Sequence, residues 1–461
     1  MARKESDFLG DVQVPDEAYY GVFTTRAYAN FQLTGILAKP SFIRALGRIK
    51  QAAAQAHKAL GQLPAEKADA IEKAAGEVAE GKLDAQFPLD VIQAGAGTPF
   101  NMNANEVVAN RALELLGRKR GDYDFIHPNN HVNKSQSSND VIPTVIRLAL
   151  LAERPRLEKA AAELAGAWKK KAKQYASVIQ TGRTHMQDAV PITLGQVFEA
   201  YALAIEHDIG ELEHAAGRLS ELGIGGTAVG TGLNTHPKFR ALVVERLAKN
   251  TGLKLKAAQS PVELTSSMNA FLVYGAALEQ LATTMHRQSV DLQLLSSGPR
   301  AGIGELRLPE VEPGSSIMPG KINPSIAEAA EMAALQAIGQ ARTAADGCRG
   351  GRLQLNVLTP LIAHNLLSAQ DLLANTCNMM RERCVEGIVA DEARIRAHLE
   401  DGLMVATALV PKFGYTLVSE WIKEADRRRM GIRELILEKK VIGEKELDRM
   451  LDTKKMIGPN K

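Results

Sequence analysis

Residues 314–324 read GSSIMPGKINP and combine several chemically useful side chains in a short segment. The hydroxyls of Ser315 and Ser316, the ammonium of Lys321 and the amide of Asn323 stand among two glycines and two prolines. Glycine and proline disfavour helix, so the segment predicts a loop in a chain that otherwise reads as helical. Lys321 supplies a cation at neutral pH, and its neighbours supply hydrogen-bond donors. Taken alone, the segment also reads as an ordinary turn.

Two more polar segments offer groups that could bind an anion. Thr98 follows two glycines, whose backbone N–H groups can approach an anion closely. The string SSND places Ser137, Ser138 and Asn139 before a helix, and a helix N-terminus favours a carboxylate ligand. Either serine can instead serve as a helix N-cap, and that alternative stays open.

A fourth polar segment, GRTHMQD at residues 182–188, brings Thr184 and His185 together. A lone histidine is more often structural than catalytic, but one beside threonine and arginine in a loop is a better candidate. The string HPNNH, which begins at His127, has no accompanying carboxylate cluster, so we predict no metal there. GIGGTA at 223–228 follows a predicted helix rather than a strand, which argues against a dinucleotide site.

The composition excludes several classes of protein. The net charge is +3, from 56 basic and 53 acidic residues, which argues against a general nucleic-acid binder. Three scattered cysteines predict reduced thiols and a cytoplasmic location. No signal peptide is evident, and the most apolar run, 141–152, is short and contains Arg147, so no membrane association is predicted.

The elements that must position these residues are long helices. Apolar residues at spacings of three and four predict helices over 41–63, 65–80, 193–222, 265–295 and 361–385, with a short helical piece at 106–116. Residues 1–40 lack clear periodicity and predict an irregular lead-in. We predict three domains: an N-terminal domain over 1–137, a central long-helix bundle over 138–390 and a small helical C-terminal domain over 391–461.

These segments together resemble the fumarase/aspartase superfamily, over essentially the whole chain. GSSIMPGKINP is similar to the signature loop of that superfamily. Further strings resemble the branch that contains class II fumarases and aspartate ammonia-lyases, and within that branch the chain is most similar to the ammonia-lyases. These strings are GAGT, NMNANEV, HPNNHVN, QSSND, GRTHMQDAVPITLGQ, GTAVGTGLN and SSGPRAG.

The resemblance implies a mainly all-α, three-domain fold that forms a homotetramer with a superhelical core. It implies active sites that are each shared among three subunits, a small dicarboxylate substrate, and neither a cofactor nor a metal. The reaction is a reversible trans elimination that yields fumarate through an aci-carboxylate, whose extra negative charge the site must stabilise.

By the same resemblance, Ser315 is the base that takes the C3 proton, with Lys321 and His185 as further catalytic groups. The resemblance makes Glu328 the acid that supports the histidine and His127 a secondary anion site. The remaining substrate-binding positions are Thr98, Ser137, Ser138, Asn139, Thr184, Ser316 and Asn323, together with Lys321.

The strings divide between two leaving groups, ammonia and water. AGAGT, NMNANEV and QDAVPITLGQ resemble aspartate ammonia-lyases, in which Ala96 replaces the serine typical of fumarases. QSSND, GTAVGTGLN and GIGEL lean towards fumarases, which act on L-malate. We therefore predict an aspartate ammonia-lyase, with class II fumarate hydratase as the alternative. A non-catalytic structural protein on this fold is a minor alternative, because Ser315, Lys321 and His185 are all present.

Overall fold

The computed structural model describes residues 2–459 and is mainly helical. The α-helices are α1 (Val22–Asn30), α2 (Pro40–Ala59), α3 (Ala65–Ala79), α4 (Thr98–Leu115), α5 (Ser138–Gln174), α6 (Leu194–Gly217), α7 (Phe239–Thr251), α8 (Pro261–Ser266), α9 (Asn269–Leu295), α10 (Ser325–Arg349), α11 (Thr359–Arg383), α12 (Glu392–Asp401), α13 (Val410–Phe413), α14 (Tyr415–Arg428), α15 (Ile432–Glu438) and α16 (Glu444–Met450).

The strands are short and pair two by two. They are β1 (Ala2–Asp7), β2 (Gly10–Pro15), β3 (Ile179–Thr184), β4 (Gln187–Thr193), β5 (Glu221–Leu222), β6 (Lys256–Ala257), β7 (Leu306–Arg307), β8 (Gly351–Arg352), β9 (Leu355–Asn356) and β10 (Val389–Ala390). The pairs β1–β2, β3–β4, β7–β10 and β8–β9 are antiparallel, and β5–β6 is parallel. The prediction of a mainly all-α fold is confirmed.

Several boundaries differ from the sequence prediction. The first forty residues form the β1–β2 hairpin and α1 rather than an irregular lead-in. Helix α4 already begins at Thr98, so the prediction of a short helix at 106–116 was wrong at its start. The predicted helix 193–222 ends early at Gly217, and the predicted helix 265–295 is interrupted between α8 and α9. Short strands and helix breaks of this kind depend on tertiary contacts, which periodicity does not report.

The chain divides into two compact units, each built from three segments. The first contains residues 1–159, 208–282 and 335–374, and the second contains 160–207, 283–334 and 375–461. The three predicted domains remain a prediction.

In the first unit, α2 and α3 pack closely at Gly47. A Cβ atom at that position would lie 2.5 Å from the backbone nitrogen of Ala79, so only glycine allows this approach. Leu46 and Ile49 are fully buried on α2, and Ala74 and Ala75 are fully buried on α3. Small residues bring the helices together, and larger apolar side chains fill the core beside them.

In the second unit, a buried aromatic cluster joins α5, α6 and α9. The ring of Trp168 lies 5.1 Å from those of Phe198 and Tyr201, and its Nε1–H donates to Gln288 at 3.0 Å. A separate core around Trp421 holds the C-terminal helices together. No helix within residues 2–459 combines the length and apolar character needed to cross a membrane.

Candidate active site

The turn before α4 has a left-handed backbone conformation. Gly95, Ala96 and Gly97 have φ angles of 68°, 52° and 79°, all left-handed. In the first turn of α4, the N–H of Thr98 donates to the carbonyl of Gly95 and the N–H of Phe100 donates to Oε1 of Gln93 at 3.2 Å, so an anion at this helix start must displace those acceptors. The Thr98 hydroxyl donates to the carbonyl of Gly95 at 2.6 Å and must rotate to donate to a substrate.

The start of α5 arranges the SSND residues. The Ser137 hydroxyl accepts the N–H of Asn139 at 3.2 Å, so Ser137 is the helix N-cap of the two serines. The buried Ser138 hydroxyl oxygen accepts from Nδ2 of Asn101 at 3.3 Å. The side-chain amide of Asn139 donates to the carbonyl of Ala228 at 2.8 Å. These bonds join the start of α5 to α4 and to the loop after β5.

Two buried ionisable side chains lie beneath this helix start, and the sequence prediction missed both. Asp140 accepts backbone N–H groups from Ser137, Gly225 and Thr227 at 3.0, 3.0 and 2.8 Å. Burial raises the pKa of Asp140 to about 7 despite these donors. Burial likewise lowers the pKa of Lys50 to about 7, and the charge of Asp140 opposes that change. The two opposite charges interact through space without a direct hydrogen bond in the described part of the chain.

His127 caps a π-helical turn, Pro128–Val132. Its Nδ1 accepts the N–H groups of Asn129 and Asn130 at 3.0 and 3.3 Å, so the neutral ring carries its proton on Nε2. Partial burial lowers the pKa of His127, which favours that neutral ring. The role of His127 at a secondary anion site stays a prediction.

Thr184 and His185 lie at the tip of the β3–β4 hairpin. Thr184 pairs with Gln187, which leaves His185 and Met186 as a two-residue loop. Both have positive φ, 55° and 59°, as a type I′ turn requires. The tip is exposed, so His185 projects from its own chain rather than into a pocket formed around it.

A buried carboxylate holds this hairpin near its tip. Glu305 has a side chain that is 1 % exposed and receives a bidentate pair from Arg183, at 2.8 and 2.6 Å. Nδ1 of His398, on α12, lies 2.7 Å from the same carboxylate. Bidentate guanidinium–carboxylate pairs fix orientation as well as distance. Glu305 therefore orients the strand that precedes Thr184 and His185, a role that the string GIGEL did not reveal.

We expect Glu305→Gln to lower the free energy of unfolding by about 3 kcal/mol, because Arg183 would lose its buried partner. Urea unfolding measures this. The matched control is Glu446→Gln, which breaks the exposed pair with Lys412 and should change the free energy of unfolding far less. Equal losses of unfolding free energy in the two variants would contradict a stabilising role for the buried Arg183–Glu305 pair.

The segment predicted to be a loop is one, and it closes on itself around Ser315. The Ser315 hydroxyl oxygen accepts the N–H groups of Ile317 and Met318 at 3.2 and 3.1 Å. Two N–H groups that point at one oxygen stabilise negative charge on it. The side chain of Ile317 is 84 % exposed, so the tip of the loop contacts little of the chain.

Lys321 and Asn323 belong to the same closed loop. The N–H of Gly314 donates to the carbonyl of Lys321 at 2.8 Å, and Asn323 Nδ2 donates to the carbonyl of Gly314 at 2.8 Å. The side chains of Ser316 and Lys321 are exposed. The loop thus carries a cation and a hydroxyl whose oxygen already receives two donors.

Within the second unit, the hairpin and the loop remain separate. No hydrogen bond or ion pair among residues 2–459 joins His185 to Ser315, to Lys321 or to Glu328, which lies in the first turn of α10. Thr184 lines a cleft of about 600 Å³ that contains no residue of the 314–324 loop. The described residues also hold no cluster of three His, Cys, Asp or Glu side chains suited to a metal ion.

Family models match most of the chain. The model described as "Lyase" matches residues 10–339, and the model described as "Fumarase C C-terminus" matches residues 405–458. Together they cover the segments that contain every candidate site residue named above.

Individual proteins match over almost their full lengths. An aspartate ammonia-lyase of Pseudomonas canavaninivorans is 44% identical over 460 residues, which are 99% of this chain and 97% of that protein. A class II fumarate hydratase of Halobacterium salinarum is 46% identical over 459 residues, 98% and 97% of the two chains. A solved structure from Brucella melitensis, described as fumarate lyase:delta crystallin bound to cobalt, is 45% identical, with a TM-score of 0.96 and complete coverage of both chains.

Proposed function

Because the chain belongs to the fumarase/aspartase superfamily of lyases, we propose that it is an aspartate ammonia-lyase. It would eliminate ammonia from L-aspartate to give fumarate, reversibly. The relatives named aspartate ammonia-lyase, at 40% to 44% identity over nearly whole chains, support this choice.

The observation that carries the choice is Ala96. Its methyl group is buried in the left-handed turn beside Thr98, where fumarases typically carry a serine hydroxyl. Malate must lose hydroxide or water, a poor leaving group that benefits from a nearby donor. The ammonium of aspartate leaves as neutral ammonia and needs no such donor. A turn without the hydroxyl therefore fits the amine substrate better.

In the proposed mechanism, the Ser315 alkoxide takes the C3 proton and becomes a neutral hydroxyl. The N–H groups of Ile317 and Met318 support that alkoxide before the transfer. The electron pair left at C3 spreads into the adjacent carboxylate, which Lys321 and Asn323 bind. The pair then forms the C2–C3 double bond as the C2–N bond breaks and ammonia leaves.

The second carboxylate would bind at the starts of α4 and α5, through Thr98 and Ser137 to Asn139. Thr184 and His185 would approach from another chain, with Glu328 beside the histidine. We propose a homotetramer with each site shared among three subunits, because His185 and the loop of Ser315 are both exposed and unconnected. We also propose a cytoplasmic location, which suits the free thiols of Cys348, Cys377 and Cys384.

A second candidate function is class II fumarate hydratase. Ser138 stands where aspartate ammonia-lyases usually carry threonine, and the Halobacterium salinarum relative is 46% identical. The missing methyl group keeps the hydrogen-bonding capacity of residue 138, so Ser138 alone does not exclude an amine substrate.

We expect purified protein to form fumarate from L-aspartate and much more slowly, if at all, from L-malate. The ultraviolet absorbance of fumarate follows both reactions, and adding ammonia to fumarate tests the reverse direction. Protein with Ser315→Ala serves as the control for contaminating enzymes. Rapid conversion of malate with none of aspartate would overturn the proposal in favour of the hydratase.

A further inference from the structure

The ammonium of Lys50 lies in a cage of amide oxygens beneath the start of α5. Lys50 is 0 % exposed, and Nζ lies 2.7 Å from Oδ1 of Asn101, 2.9 Å from Oε1 of Gln136 and 3.1 Å from Oδ1 of Asn133. An ammonium has three N–H donors, and each finds one acceptor here. No carboxylate among the described residues bonds to it directly.

Burying this cation is unfavourable for folding unless the charge serves a function. Enclosing a cation without a bonded anion carries a penalty that well-packed apolar side chains of similar size avoid. The cage residues come from the strings NMNANEV, HPNNHVN and QSSND, to which the proposed mechanism gives no complete role. They adjoin the proposed carboxylate site at Ser138, so the cluster points towards substrate binding.

The cage fixes the direction of a hydrogen-bond chain. As an ammonium, Lys50 only donates, so Oδ1 of Asn101 must face it and Nδ2 must donate to other acceptors. Nδ2 lies 3.2 Å from Oδ1 of Asn133, which also accepts from Lys50, and it donates to the Ser138 oxygen at 3.3 Å; both distances are at the long end for such bonds. The Ser138 oxygen is therefore an acceptor in this bond, and its own proton is free. Among residues 2–459 no acceptor takes that proton.

We propose that Lys50 and Asn101 are positioning residues that make Ser138 a hydrogen-bond donor to a substrate carboxylate. The buried charge polarises the Asn101 amide, and the amide in turn strengthens the Ser138 hydroxyl as a donor. This inference rests on the proposed function, because it requires a dicarboxylate at Ser138. It adds two residues, neither of which touches the substrate.

The variant Asn101→Asp tests the direction of the chain. An aspartate keeps the contact with Lys50 but has no N–H, so the Ser138 proton should turn inward to the new carboxylate. We expect fumarate to bind about 10- to 100-fold more weakly, measured by isothermal titration calorimetry. Asn250→Asp, at a polar site on α7, is the control for an added negative charge elsewhere and should leave fumarate binding within about threefold of wild type.

A double-mutant cycle separates this relay, the hydrogen-bond chain from Lys50 through Asn101 to Ser138, from simple repulsion between charges. If Asn101 acts through Ser138, then Asn101→Asp should weaken binding little further in protein that already carries Ser138→Ala. Lys50→Met, which removes the donor and the charge that act on Oδ1 of Asn101, should behave in the same way. Circular dichroism and thermal unfolding establish that each variant is folded, and either variant alone suffices for the cycle.

The outcomes distinguish the relay from the proposed function. If Asn101→Asp weakens fumarate binding equally in wild-type protein and in protein with Ser138→Ala, the relay is overturned. Electrostatic repulsion through space does not require the Ser138 hydroxyl. Fumarate is a product of both candidate reactions, so the double-mutant cycle is expected to give the same result for an ammonia-lyase and for a hydratase. Turnover of malate instead of aspartate would contradict the proposed function and leave the result of the cycle unchanged.

Discussion

Replacement of Ser315 by alanine is expected to lower kcat by about 10²- to 10⁴-fold, the contribution typical of a positioned proton-transfer group. The alanine has no oxygen to take the C3 proton, and the N–H groups of Ile317 and Met318 lose the acceptor that they share. Initial rates of fumarate formation measure the loss. Exchange of the C3 proton with deuterated solvent should fall with it, because that exchange reports the proton transfer itself.

Binding separates a base from a residue that merely shapes the loop. The affinity for fumarate should change by less than about threefold in the Ser315→Ala protein, since interactions made only in the transition state affect kcat rather than ground-state binding. Ser325→Ala, just beyond the loop at the start of α10, is the matched control and should retain normal rates. A rate close to wild type in Ser315→Ala would remove this serine from the role of base.

The long helices and the loops between them could be predicted from the sequence because both leave local signals. The stripe of apolar residues before Pro64 predicted α2, and glycine and proline predicted the loop at 314–324. Helix ends were less accurate, since the break between α8 and α9 falls at Ser267 and Met268, within a continuous helical pattern. Such breaks depend on what packs against the chain.

The buried charges could not be predicted in this way. Lys50 lies among apolar residues of α2, where a lysine would ordinarily be assigned to the solvent face. The amides that surround it come from residues 51 to 86 positions later in the chain. Glu305 likewise depends on Arg183 and His398, 122 and 93 positions away. Sequence spacing does not show which distant side chains will enclose a charge, so these residues became visible only in the fold.

For the site residues, the sequence identifies the polar segments but not how they come together. Each polar segment could be recognised locally, and the structure supplies a local reason for its composition, such as the closed loop around Ser315. The exposed tip at His185 and the exposed loop at Lys321 leave both groups without a partner in the described part of one chain. We infer that the remaining geometry arises on assembly, because a site that must stabilise a dianion requires converging donors.

Mixing two inactive proteins tests that assembly. One carries Ser315→Ala and the other His185→Ala, and the two are dissociated together in mild denaturant and allowed to reassociate. If the loop and the hairpin of one site come from different chains, random assembly gives each site an intact loop with probability one half and an intact hairpin with probability one half. About a quarter of wild-type activity should then return, against the far lower activity of either variant alone.

The matched control pairs Ser315→Ala with Lys321→Ala. Both residues belong to one loop, which the Gly314–Lys321 backbone bond closes, so every site receives a loop defective at one position or the other. That mixture should stay inactive although it forms the same hybrids, which native mass spectrometry can count. In the control mixture no chain carries an intact loop, so recovery of activity in both mixtures would have a cause other than the sharing of loops between chains. Absence of recovery in the first mixture, with hybrids present, would mean that His185 and Ser315 serve each site from the same chain.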